Sequence, residues 1–219
     1  MSSSFQISES LSPSEILCSN LAQGIHAMAQ PLAVLMASLG KAHTDLMNLD
    51  ELRELTARSA AEVERACALF GCLQQLVMAE SIKPQLSPTL ILPVLAYAAE
   101  GVDVLFQEDG ISLRLVGLDS CPSVLIDRAR TLQALSRVLL ILHGLSRPQD
   151  TVELVATQSA SAVEVVVRNP NVSVAAINAE CSLSMAVAEA NMRSQHAKFA
   201  LSLSPFTVSI ELPKAPSAY

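Results

Sequence analysis

Tryptophan is absent from this 219-residue chain, and aromatic residues of every kind make up 3% of it. The core must therefore be aliphatic, built from Leu, Val, Ile, Ala and Met, and no platforms exist on which nucleic-acid bases could stack. Glycine is scarce too, and none of the seven follows Gly144. Loops that wrap backbone amides around phosphates need the positive backbone angles that glycine supplies, so the C-terminal third cannot build one of the usual kind. The five cysteines, Cys18, Cys67, Cys72, Cys121 and Cys181, form no Cys-x-x-Cys pair and have no histidine at metal-ligand spacing. Clusters of Lys and Arg are missing, and the net charge is -7, which argues against nucleic acid and anionic lipid as partners. No apolar run is long enough to cross a membrane, and Met1 to Ser10 lacks the basic end and apolar stretch of a signal peptide. A cytoplasmic protein with no nucleic-acid or membrane partner is expected.

What is there is a chain that folds. Hydrophobic residues make up 51% and charged residues 16%, ample for a buried core. Residues 1–11 read as a polar, disordered N-terminus. At Ser12-Pro13-Ser14-Glu15 a helix start is signalled, because Ser12 can cap free backbone N–H groups and Pro13 suits the first helical position. Leu21, Ile25, Met28, Leu32, Leu35 and Leu39 then recur at alternating four- and three-residue steps, the period of a seam packed against other helices. That helix runs from Ser12 to a turn at Gly40, about 40 Å at about 1.5 Å per residue.

A second helix is predicted from Asp50 to Glu80, with Leu52, Leu55, Val63, Ala66, Phe70, Leu73 and Val77 inward and a solvated charged face that includes Arg58 and Arg65. Two long helices joined by a short turn leave apolar seam uncovered, and pairing two hairpins into a four-helix bundle covers it, so a homodimer is expected. Pro84, Pro88 and Pro93 end the helical pattern and divide the chain into a hairpin domain, residues 12–82, and a second domain, residues 83–219. In the second domain helices are expected over Thr89 to Glu100, Arg128 to Gly144 and Ser182 to Ser194. Strands are expected over Ile111 to Val116, Thr151 to Ala156, Ala162 to Arg168, Lys198 to Leu203 and Phe206 to Leu212. The class is α+β, a hairpin followed by a two-layer α/β sandwich.

Chemistry concentrates in Gly24-Ile25-His26-Ala27-Met28-Ala29-Gln30-Pro31-Leu32. Pro31 removes one helical hydrogen bond and crowds the carbonyl of Ala27, at a penalty of roughly 3 kcal/mol, so the helix is expected to bend beside His26. His26 projects to the flank of the seam, and its ring, neutral at cytoplasmic pH, offers a nitrogen lone pair for attack on phosphorus. Ala22, Gln23, Ala27, Ala29, Gln30 and Ala33 are its small or uncharged neighbours, over which a partner can approach. His43, His143 and His196 have no comparable setting and read as structural or surface residues.

His26-x-x-x-x-Pro31-Leu32, with Gln30 before the proline, resembles the phosphoacceptor box of two-component sensor histidine kinases. The order of parts resembles that family too, since its members carry a dimeric helical hairpin followed by an ATPase-type α/β sandwich. The resemblance implies that His26 is the phosphoacceptor and that bacterial response-regulator receiver domains are the partners. Three departures shape the expectation further. The acidic residue that usually follows the histidine is Ala27; the helix at Leu132 to Leu145 lacks the Mg²⁺-binding asparagine; and Asn169-Pro170-Asn171 stands where an adenine-binding aspartate and its glycines would follow a strand. What remains resembles the ChpT-like histidine phosphotransferases, which relay phosphoryl groups between receiver domains without taking them from ATP. That likeness implies no cofactor of its own, with Mg²⁺ held by the receiver. A catalytically silent dimeric adaptor is the alternative, and a divergent ATP-dependent kinase the third reading.

Overall fold

A computed structural model of the chain describes residues 13–44, 48–117, 122–175 and 177–216. The N-terminal stretch 1–11, the Ser12 cap and Cys121 lie outside them. Helix α1 (Pro13–Thr44) and helix α2 (Leu49–Ser81) form the hairpin. Gly40, expected as the turn, lies inside α1, which continues to Thr44. A single exposed glycine costs a helix only about 1 kcal/mol against alanine, too little to end one held by packing. The start of α2 is fixed by Asn48, whose side chain accepts hydrogen bonds from the backbone N–H groups of Asp50 (3.1 Å) and Glu51 (2.9 Å) while Glu51 accepts from the N–H of Asn48 (3.0 Å). This reciprocal cap satisfies three backbone donors that a bare helix end would leave open.

The second domain begins with strand β1 (Ser87–Leu90) and helix α3 (Ile91–Glu108). The helix expected over Thr89 to Glu100 is thus displaced and longer, and Pro93 causes no break. Pro93 is the third helical residue, where the backbone N–H would have no intrahelical acceptor anyway. Strand β2 (Ser112–Val116), strand β3 (Ser123–Ile126) and helix α4 (Arg128–Leu145) follow. Strand β4 (Thr151–Gln158), strand β5 (Ala162–Asn169), helix α5 (Ala179–Arg193), strand β6 (Lys198–Leu203) and strand β7 (Phe206–Pro213) complete the chain. The pair β1 and β3, joined antiparallel with Ser87 opposite Ile126, had no counterpart in the sequence reading. Four-residue strands are too short for an alternating pattern to register.

The main sheet has the order β2-β4-β5-β7-β6, parallel between β2 and β4 and antiparallel elsewhere. Its strands alternate: Val152, Leu154 and Ala156 of β4, Val163, Val165 and Val167 of β5, and Val208, Ile210 and Leu212 of β7 are all buried beneath the helices. The other face carries polar pairs such as Arg168 Nη2 to Glu153 (2.7 Å) and Lys198 to Glu211 (3.1 Å). Period-two burial on one face, with α3, α4 and α5 on that face, makes a two-layer sandwich.

Helix α5 belongs to two cores at once. Met185, Ala188 and Met192 enter the sandwich core, whereas Leu183, Val187 and Ala190 join Ala27, Leu69, Leu73, Leu76 and Ala79 in a second core shared with the hairpin. The hairpin is therefore fastened along the back of α5. Around that apolar contact lies a polar collar. Arg130 Nη1 donates to the carbonyl of Ala79 (2.9 Å) and to Ser194 Oγ (2.7 Å), and Gln133 Nε2 donates to Gln75 Oε1 (2.8 Å). Asn191 Nδ2 donates to Gln133 Oε1 (3.0 Å), Arg137 Nη1 donates to Ser184 Oγ (2.9 Å), and Arg193 pairs with Glu80. Arg65, assigned to the solvated face of α2, instead pairs with Glu180 of α5, while Arg58 makes a surface pair with Glu54.

Candidate functional site

The phosphoacceptor candidate sits on an arc of α1 that both cores leave open. At about 100° per residue, Leu17, Leu21, Gly24, Ala27, Met28, Pro31 and Leu35 share one face, and all of these are buried or half-buried. His26 points about 160° away from Gly24 on the same wheel and is exposed, as are Ala22, Ala29, Gln30 and Ala33. Gln23 lies between His26 and the core, and its Nε2 donates to Ser182 Oγ of α5 at 3.4 Å. The sandwich thus reaches α1 on one flank of His26.

Helices α2 and α5 both close on α1 at Gly24. A Cβ built there would stand 2.4 Å from Leu73 Cδ2 and 3.2 Å from Leu183 Cδ2. Glycine permits this close approach, because a methyl group would press on a leucine of α2 and another of α5. Two residues later, His26 is held on a helix clamped from behind.

Ala27 departs from the role given to it. It is 8% exposed and packs in the shared core, so it is no part of a partner-facing surface. A carboxylate at that position would be buried beside Leu69 and Leu73, which accounts physically for an alanine after the histidine. Pro31 is buried on the same face, and α1 remains helical through it without a break. Lacking an N–H, Pro31 leaves the Ala27 carbonyl without its usual helical donor.

The seam residues of α1 divide into two neighbouring stripes. Leu21, Met28 and Leu35 face the hairpin interior, whereas Ile25 (63% exposed), Leu32 and Leu39, with Met36, face outward. On α2 the inward residues are Ala66, Leu69, Leu73, Leu76 and Ala79, and Leu52, Val63, Phe70 and Val77 are exposed. The predicted inner face of α2 had combined members of both stripes, because adjacent stripes on one helix share the same period.

Of the other histidines, His143 is held by side-chain contacts. His143 lies 2.9 Å from Asp109 Oδ2 and 3.2 Å from the carbonyl of Leu105, and its ring centroid is 5.1 Å from that of Phe106. The backbone N–H of His196 bonds to the Arg193 carbonyl in the turn that ends α5. The side chain of His43 lies outside the described residues.

At the end of β5, the position compared with an adenine-binding aspartate is closed by internal bonds. Asn169 is fully buried, and its Nδ2 donates to Ser146 Oγ (2.8 Å) and Asp150 Oδ2 (3.2 Å) while its Oδ1 accepts from the Asn171 N–H (3.0 Å). Asn171 Nδ2 donates to Asp150 Oδ1 at 3.0 Å. The Arg147 backbone N–H, followed by the Asn171 amide, holds the Asp150 carboxyl below the usual carboxylate range. On α4, the side chains that face α2 and α5 are Arg130, Gln133 and Arg137, all bonded within the chain. Among the described residues no three His, Cys, Asp or Glu side chains are placed to hold a metal ion, and no helix is long and apolar enough to cross a membrane.

The chain has the histidine-kinase fold, a helical hairpin followed by an ATPase-type α/β domain. Solved structures similar to it in shape include histidine kinases. Acinetobacter baumannii AdeS matches with a TM-score of 0.69 at 14% identity, covering 87% of this chain and 98% of the AdeS chain. ThkA, solved in complex with the response regulator protein TrrA, matches with a TM-score of 0.74 at 13% identity over 94% of this chain and 64% of that one. Full-length ShkA in complex with AMPPNP matches with a TM-score of 0.63 at 17% identity, over 95% of this chain and 47% of that one. No protein-family profile and no curated protein sequence matches the chain.

The helix of α5 was expected over Ser182 to Ser194, but its second apolar face, which packs on the hairpin, was missed. Its signal was present: Leu183, Val187 and Ala190 recur at helical spacing on a different face from Met185, Ala188 and Met192. A helix apolar on two faces must be covered on both.

Proposed function

We propose that the chain is a dimeric histidine phosphotransferase of a two-component relay, with His26 taking a phosphoryl group from the aspartyl phosphate of one receiver domain and yielding it to another. The observation that carries this reading is the placement of His26, outward on a clamped helix among the small side chains of Ala22, Ala29 and Ala33. The unprotonated ring nitrogen attacks phosphorus, the P–O bond to the aspartate breaks, and the carboxylate leaves with the bonding electrons. A carboxylate is a stable leaving group, so no acid is needed at position 27 to protonate it. The internal bonding of Asn169 and the asparagine-free α4 support a donor other than ATP. Mg²⁺ enters on the receiver, and this chain contributes no ligand to it.

The chemistry is tested by mixing the protein with a receiver domain charged by acetyl [³²P]phosphate. Label is expected to move onto this chain within minutes and to be lost in acid but kept in alkali, as a phosphoramidate should be. Label that survives acid, or none above background with every receiver of the source organism, leaves the silent adaptor as the reading.

A second copy of the chain is the occupant we assign to the outward stripe of α1 and α2. Both helices repeat apolar side chains at seven-residue intervals there, Ile25, Leu32 and Leu39 on one and Val63, Phe70 and Val77 on the other, the pattern of a four-helix bundle. Leu32→Glu combined with Phe70→Glu is expected to convert a particle of twice the chain mass into one of single mass in sedimentation equilibrium. A wild-type protein of single mass at micromolar concentration defeats this assignment.

A further inference from the structure

Helix α3 carries a second apolar stripe, at the opposite end of the helical layer from the hairpin. Its core side consists of Ile91, Val94, Leu95, Ala98, Val102 and Phe106. Leu90 at the helix cap, Pro93, Tyr97, Gly101 and Val104 fall within an arc of about 80° on a different side of the helix, centred about 130° from the core direction at about 100° per residue. All five are exposed, Tyr97 at 56% and Val104 at 66%. A Cβ at Gly101 would meet nothing within 4 Å, so the middle of the stripe is open ground. Helix α4 packs on the Phe106 side of α3, where the His143 ring lies, and the stripe therefore looks away from α4. Helix α3 lies beside β2, the edge strand of the sheet, where Leu115 and Val116 are exposed as well.

Charge decides what can cover this stripe. Glu100 lies at its border and Glu108 ends it; α3 has no Lys or Arg, and Arg114 is the one cation of β2. A second copy of the chain is a poor occupant, because its net charge is -7. Helices α2 and α4 carry three arginines each, of which Arg53, Arg58 and Arg65 pair with carboxylates and Arg130 and Arg137 are bonded internally. An anionic lipid surface is repelled by the same border.

We propose that the outer face of α3 is a docking site for a basic amphipathic helix of a partner protein, whose apolar side chains cover Tyr97, Gly101 and Val104 and whose Lys or Arg flank meets Glu100 and Glu108. The steps from Leu90 to Val104 are those of a helix-packing seam and span about 21 Å, which a partner helix of about 14 residues covers. The stripe shares no residue with the surface around His26.

The probe is a fluorescein-labelled peptide of about 18 residues, long enough to outlast the seam, made of Leu and Lys in helical period. A Leu and Glu peptide of the same pattern is the control, and both are titrated with the full-length dimer or monomer as isolated. Anisotropy is expected to show binding of the Lys peptide only, weakened about tenfold by Tyr97→Glu with Val104→Glu and about tenfold by Glu100→Lys with Glu108→Lys. Glu64→Lys on α2, which reverses one carboxylate elsewhere, is expected to leave the affinity within about twofold. Both altered side chains of the first variant are more than half exposed, and its circular-dichroism melt should match that of the wild type. Absence of binding, equal binding by the Tyr97 and Val104 variant, equal binding of the Glu peptide, or recruitment of the protein to phosphatidylserine vesicles each overturns the proposal.

Discussion

His26→Ala is expected to abolish transfer of label from a charged receiver while leaving the fold unaltered. The ring is exposed, and its hydrogen bonds and ion pairs among the described residues number none. Alanine is the best helix former, so its substitution at an exposed helical position should move the melting temperature by about 2 °C or less. Binding and chemistry separate in this variant. Affinity for the uncharged receiver should stay within about threefold, because Ala22, Ala29, Gln30 and Ala33 still present the docking face, whereas labelling falls to background. Label retained at wild-type rate would place the nucleophile elsewhere. Equal loss of receiver binding and labelling would show His26 to be a contact residue and not the acceptor.

The second large effect concerns stability. Gly24→Leu is expected to destabilise the chain by about 2–3 kcal/mol in chemical denaturation, the upper range for overpacking a filled core. The reason is the 2.4 Å that a Cβ would leave to Leu73 and the 3.2 Å to Leu183. Leu73 cannot turn aside cheaply, since Leu69, Leu76 and Ala79 fill the same core. Gly24→Ala separates two opposing terms. The added methyl crowds the same two leucines, but replacing glycine stabilises a helix interior by about 1 kcal/mol, so the net change should stay within about 1 kcal/mol of zero. A Gly24→Leu protein as stable as the wild type would mean that α5 does not press on α1 at this point. Because α5 is held to the hairpin through Leu183, Val187 and Ala190, this variant should also expose Leu183 and loosen the Gln23 to Ser182 contact. Faster amide exchange in α5 than in α4 would report that loosening.

Helix by helix, what could be read from the residues depended on how many faces each element had to bury. The strands β4, β5 and β7 bury one face, and their period-two alternation placed them within two residues at either end. Both hairpin helices were visible for the same reason, in a seven-residue repeat. The repeat did not reveal that Leu21, Met28 and Leu35 turn inward while Ile25, Leu32 and Leu39 turn outward, since stripes about 40° apart merge in any periodicity. Asn48 as the cap of α2 was equally hidden, because an asparagine signals a cap only once the helix start is known.

His26, its proline five residues on and its small neighbours were determined by local order alone. A residue's place on one helix follows from 100° steps, whatever the helix packs against. Tertiary structure decided which neighbours count. It moved Ala27 into the core, made Gly24 the point where α2 and α5 close on α1, tied Arg65 to Glu180, and enclosed Asn169 in bonds to Ser146 and Asp150. Each of these joins residues far apart in the chain, and no local pattern encodes which helix will lie behind another.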